Sequence, residues 1–183
     1  MKKSQAINLG LTYSVVSIIL FLIQVIVAGG TMFSVVMGIV TFAVVVALCI
    51  IFIRRERAEK GGLISFKEAF TTAFVGLLIG GIVSVLFTLI YVTYVDATYI
   101  DKMVYTTLES TKGFMEGNMG DEQVNEILLE METDMRAGFT PLGMAKSMGY
   151  FAIFYLVVSL ILAASLKKVN PLATPYQTET LDR

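Results

Sequence analysis

Four acidic residues recur at every fourth position, Glu122, Glu126, Glu130 and Asp134. That spacing aligns carboxylates along one face of a helix, where neighbours repel by about 0.2–0.5 kcal/mol each. Aligned carboxylates could hold a divalent cation or face a basic partner. The order of an EF-hand loop is missing, however, and a solvated acidic face is the expectation. Lys146 is the ionisable residue closest to the interior of an apolar run. Its long stem is expected to snorkel to the outer surface or to pair with a nearby carboxylate. The chain contains no histidine, which removes the usual general base, the commonest metal ligand and the near-neutral pH switch. Its single cysteine, Cys49, lies within an apolar stretch, so no intrachain disulfide forms and a packing role is expected. The methionines occupy helical apolar positions rather than a copper-binding pattern. No catalytic, cofactor-binding or metal-binding residue is assigned, and no cofactor is expected.

The elements that would position these residues are apolar. A chain of 183 residues with 56% hydrophobic and only 16% charged residues is too greasy for an ordinary soluble domain. No charge lies between Lys3 and Arg54, between Glu68 and Asp96, or between Lys146 and Lys167. A bilayer core needs about 20 apolar residues in a helix, so the first window holds two crossings and the others one each. The expected fold is an all-α membrane protein, a single membrane domain over residues 1–183. Its four transmembrane helices fall at about 6–28, 32–53, 66–95 and 141–166. Gly29-Gly30-Thr31 suits the first reversal. Ser65-Phe66-Lys67-Glu68 reads as a capping box opening the third span. Thr140-Pro141 reads as an N-cap with proline at the first helical position, and Asn170-Pro171 blocks extension of the last span.

Ten basic residues fall at the N-terminus, in 54–68 and in the tail 167–183, whereas 96–141 holds three against ten acidic residues. Positive-inside bias places both termini in the cytoplasm and the long connection outside. The first apolar stretch is long and lacks a clear Ala-x-Ala site, so an uncleaved first span is expected.

Small residues at Thr72, Gly76, Gly80, Ser84 and Thr88 form a strip along the third span, with a weaker one at Ala6, Gly10 and Ser14. Such strips let helices approach closely, either within the bundle, which is the simpler expectation, or between copies. Gln24 is placed to hydrogen-bond across helices. Phe66, Phe70 and Phe74 share one face and suit packing or lipid contact, while Tyr91, Tyr94 and Tyr99 suit the outer interface. Within 96–140, apolar residues at Ile100, Met103, Val104, Leu108, Phe114 and Met115, and at Val124, Ile127, Leu128, Met131 and Met135, follow helical spacing. Gly117-Asn118-Met119-Gly120 separates them, giving an extracytoplasmic amphipathic helical hairpin between helices 3 and 4. No strong breaker lies between Val95 and Thr111, so the first hairpin helix is expected to continue the third span.

The segment Ile64-Ser65-Phe66-Lys67-Glu68-Ala69-Phe70, with a helical hairpin before it and a Gly-rich span, an acidic helical insert and a final span after it, resembles the bacterial domain-of-unknown-function family numbered 4199. That family (DUF4199) is found mainly in Bacteroidota. The resemblance covers nearly the full chain and implies a multi-pass inner-membrane protein; it carries no functional residues with it. The family's pattern leads one to expect proline near Asp96, where this chain has Asp96-Ala97. That departure bears on the helix break there.

Three functional classes follow. The residues favour a non-enzymatic structural or partner-binding component that acts through its outer hairpin. Its expected partners are the lipid bilayer and a membrane-protein partner or a second copy, with no nucleic acid. The alternative is a subunit of a small transporter or channel, which four apolar helices would support only through oligomerisation. A membrane-embedded enzyme would have to rely on carboxylates or Lys146, and no paired constellation lies within a span.

Overall fold

The computed structural model describes residues 4–27, 31–115 and 120–169. Six α-helices follow in order: α1 Gln5–Val27, α2 Thr31–Glu59, α3 Phe66–Ile90, α4 Tyr99–Met115, α5 Asp121–Gly138 and α6 Pro141–Leu166. A π-helical turn, Tyr91–Val95, extends α3. Among the described residues there is no strand, and four helices are long and apolar enough to cross a membrane: Gln5–Val27, Met32–Glu59, Phe66–Val95 and Pro141–Leu166. The chain is therefore a multi-pass membrane protein. Their outward surfaces carry Ile19, Val36, Ile82, Ile153 and Ile161, all exposed, as a lipid-facing surface requires. Gly29-Gly30, the separator 117–119 and the tail beyond Val169 lie outside the described residues.

α3 is the central helix, packed most closely on α1 and next on α6. Glycines make this possible. A methyl added at Gly76 would lie 2.6 Å from the Leu9 side chain, one at Gly80 2.2 Å from the Tyr13 ring, and one at Gly10 2.8 Å from Ile79. The small-residue strips thus meet each other within one chain. Because a four-residue step drifts against the 3.6-residue turn, only the middle of the α3 strip faces α1. Its N-terminal end swings to α2, where the Thr72 hydroxyl donates to the Glu56 carboxylate. Its C-terminal end, Thr88, reaches a cavity.

Local signals hold at both ends of the α2–α3 loop. Ser65 Oγ accepts from the Glu68 backbone N–H at 3.2 Å while Glu68 Oε2 accepts from the Ser65 backbone N–H at 2.9 Å, completing the capping box. α2 runs past Ile53 to Glu59 and closes at Gly61 and Gly62, both at positive φ (75° and 91°). There the Gly62 N–H donates to the Arg57 carbonyl and the Gly61 N–H to the Ala58 carbonyl, a Schellman closure. Past α6, Lys168 exchanges both backbone hydrogen bonds with Ile64, at 2.9 and 3.0 Å, clamping the α2–α3 loop to the end of the last span.

One expectation is overturned. α4 does not continue the third span: the helix breaks at Asp96-Ala97-Thr98. Asp96 leaves the helical region at φ −136°, ψ 87°. Its carboxylate accepts from the Thr98 N–H at 3.0 Å and the Thr98 hydroxyl at 2.6 Å. An aspartate turn does here what a proline would do, since its side chain supplies an alternative partner for the backbone.

Candidate functional site

The hairpin and the cavity beneath it are best built from the aromatic residues that join them. Phe21 of α1 stands edge-on to Tyr91 at 5.3 Å and to Tyr99 at 5.6 Å between ring centroids, and Tyr99 stands edge-on to Phe139 at 6.4 Å. Edge-to-face geometry is the favoured one for such rings. These contacts pin the start of α4 and the α5–α6 junction to the end of α1. Of the three tyrosines expected at the interface, only Tyr94 is open to the surroundings, at 82% exposure; Tyr91 and Tyr99 turn inward. Burial pushes the Tyr99 hydroxyl pKa up.

α4 and α5 pack on each other, as their apolar spacing predicts, with Val104 and Val124 buried. Arg136 joins the two helices by donating to Asp101 at 2.6 Å and to Glu132 at 2.9 Å. A groove between them is lined by Tyr105, Leu108, Asn125, Leu128 and Leu129, with the charged Glu109, Lys112 and Glu132 also in its walls. Tyr105 and Leu129 project from it at 67% and 68% exposure. Glu122, Glu126, Glu130 and Asp134 are all exposed and carry no ion pair among the described residues. Lys146 lies on the exposed side of α6.

Below the hairpin, a cavity of about 500 Å³ opens between α1, α2, α3 and α6. Its floor is the pair Tyr13 and Tyr155, whose hydroxyls are 2.9 Å apart. The rings fit because Gly80 and Gly81 leave room for them on α3. Ser17, Thr41, Ser84, Thr88 and Ser147 supply hydroxyls along the walls, Leu20, Met37, Val85, Met148 and Phe151 supply apolar surface, and Gly138-Phe139 close the top. Every polar side chain in this lining is neutral. Gln24 lies at its outer edge and also lines a second chamber of about 450 Å³, together with Ser34, Asp96, Tyr99, Lys102, Thr106 and Met135. In that chamber Asp96 and Lys102 pair at 3.3 Å. Hydrogen bonds from Thr98, then the Lys102 ammonium, hold the Asp96 carboxyl below the usual carboxylate range.

Sequence reasoning located the hairpin, and it singled out Gln24 as a polar span residue and Thr88 as part of the small-residue strip. It missed Tyr13, Tyr155 and Ser147. Each looks like an ordinary span residue until the helices are assembled. The one available signal was the Gly80-Gly81 pair, which implies bulky neighbours on two faces.

At the other end of the bundle, Lys60 bridges Glu56 at 3.0 Å and pairs with Glu68, and Gln5 donates to Glu59 at 2.6 Å. Burial opposes the Lys60 charge, but its bonds to Glu68 and Glu56 outweigh that and raise its pKa.

A family model described as protein of unknown function (DUF4199) matches residues 8–168. No curated protein and no solved structure matches the chain.

Proposed function

Because the chain belongs to the family described as protein of unknown function (DUF4199), we propose its role from its own geometry: a non-enzymatic inner-membrane protein that presents the α4–α5 hairpin to a partner outside the cytoplasm. The observation that carries this is the hairpin's anchorage. Tyr99, Phe139 and Arg136 fix it to the bundle and to itself, while Tyr105 and Leu129 stay exposed beside a stripe of exposed carboxylates that have no ion pair among the described residues. An exposed, partly apolar groove whose walls carry two carboxylates and one lysine, beside a further stripe of carboxylates on α5, suits a basic, amphipathic segment, with electrostatics steering its approach. The charge asymmetry supports an orientation with both termini in the cytoplasm, since the arginine- and lysine-rich 54–68 segment lies at the bundle end opposite the hairpin.

Single cysteines at positions 58 and 125 in a Cys49→Ser background test the orientation. Impermeant maleimide is expected to label position 125 in intact cells and position 58 only after permeabilisation; the reverse would overturn the orientation. A photo-crosslinking residue at position 129 tests the docking. It is expected to capture a basic protein in membranes, and Glu126→Lys with Glu130→Lys is expected to abolish the adduct. Crosslinking to lipid alone, or an adduct untouched by charge reversal, would overturn it.

The alternative, a small transporter or channel subunit, draws on the two chambers that meet at Gln24. Against it, Leu9, Cys49, Ile53, Ala73 and Leu77 are all buried in an apolar inner half. Flux across liposomes holding the purified chain decides between the two.

A further inference from the structure

Span hydroxyls usually return their proton to a carbonyl of their own helix, because the bilayer offers no other partner. Thr12, Ser14, Thr41, Ser84 and Ser165 do so here, each to the carbonyl four residues earlier. Ser17 bonds the Ser14 carbonyl and also meets Ser84 across the α1–α3 contact. Three polar side chains of the 500 Å³ cavity behave differently. Thr88, Ser147 and the Gln24 carboxamide line it without a hydrogen-bond partner among the described residues. They come from α3, α6 and α1, so three separate helices aim unpaired neutral groups at one space. Polar groups left unpaired in an apolar medium are costly. The remaining walls, Leu20, Met37, Val85, Met148 and Phe151, are apolar.

We infer that this cavity is a binding site for a neutral amphiphile, an uncharged hydroxyl- or carbonyl-bearing head on an apolar body. The head bonds Gln24, Thr88 and Ser147; the body lies along the apolar walls. The volume is that of a small-molecule site, and a few convergent polar groups in an apolar pocket are the usual means of orienting a ligand. An anionic or cationic head is disfavoured because the lining offers no counter-charge, and an unpaired ion buried in the membrane is expensive. Phe151, half exposed at the edge of the cavity, gives the body a lateral way in from the bilayer. The site is independent of what docks on the hairpin, so either can fail alone.

The test uses the full chain in detergent with Cys49→Ser and Met148→Cys, so that the only thiol lies on the apolar wall of the cavity and the three head contacts are kept. Maleimide labelling is timed with dioctanoylglycerol, with dioctanoyl phosphatidic acid, or with neither. Dioctanoylglycerol is expected to slow labelling and phosphatidic acid to leave it unchanged. A Lys146→Cys thiol, outside the cavity, is expected to be unaffected by either. Adding Thr88→Phe fills the space and should remove the protection. Adding Gln24→Leu removes one hydrogen bond without filling the space and should weaken apparent affinity about fivefold. Equal protection by both lipids, protection of the Lys146→Cys thiol, or no protection by dioctanoylglycerol would each overturn the site. The last result with fast labelling would mark the cavity as water-filled.

Discussion

The Tyr13 hydroxyl meets the Tyr155 hydroxyl at 2.9 Å across α3, over two glycines that each face one of the rings. Tyr13 lies against Gly80 and Tyr155 against Gly81, so α1 and α6, distant in sequence, are joined through a gap in the helix between them. The contact serves both fold and site, because the pair is also the floor of the cavity.

Gly80→Ala should therefore destabilise the bundle. The added methyl would sit 2.2 Å from the Tyr13 ring and 3.1 Å from the Gly10 carbonyl, and neither ring nor backbone yields readily. Overpacking of this kind costs about 1–3 kcal/mol. Gly38→Ala, with open space around it, is expected to be neutral or slightly stabilising through helix propensity. Thermal unfolding of the two variants in the same detergent checks the contrast.

Ser17 and Ser84 offer a double-mutant cycle. Their hydroxyls lie within hydrogen-bonding reach across the α1–α3 interface, where either can donate to the other in exchange for its own-helix carbonyl. Hydrogen bonds between membrane helices are worth about 0.6 kcal/mol on average, and the coupling energy should be of that order. A coupling indistinguishable from zero would mean that the hydroxyls act only as small residues permitting approach.

The loop between α2 and α3 should respond to two independent single changes. Ser65→Ala removes the side-chain acceptor of the capping box and is expected to cost about 1 kcal/mol. Gly61→Ala places a Cβ at φ 75° and should cost about 1–2 kcal/mol. Denaturant or thermal unfolding of each variant measures both.

Alkaline pH should loosen the same end of the bundle. The Lys60 pKa is raised in the folded chain, so its stabilising contribution is fully present below the unfolded value of about 10.4. It is lost as pH rises through the higher folded value. The difference in melting temperature between wild type and Lys60→Met should hold steady from about pH 7 to 9 and shrink above about pH 10. A difference that does not change with pH would show that the lysine acts through packing of its stem.

Four spans, the capping box at Ser65–Glu68, the Thr140-Pro141 start of α6 and the amphipathic hairpin were all legible in the chain, because each depends on residues within a few turns of one another. Uncharged stretches of span length admit few folded solutions in a bilayer, and capping is a contact between neighbours in sequence. The break before α4 was harder to see. Its cause is the Asp96 side chain bonding to Thr98, a competition that no strong breaker residue announces.

The sequence by itself determined that this is a membrane bundle with charge segregated between its ends, since hydropathy and charge act locally and add along the chain. Only the tertiary structure decided that Tyr13 and Tyr155 join over Gly80-Gly81, that the α3 strip touches α1, α2 and a cavity in turn, and that Gln24, Thr88 and Ser147 face one space. Those relationships depend on how three helices are rotated about their axes. In a bilayer, where nearly every face of each helix is apolar, rotation is set by close packing against neighbours rather than by which face is greasy.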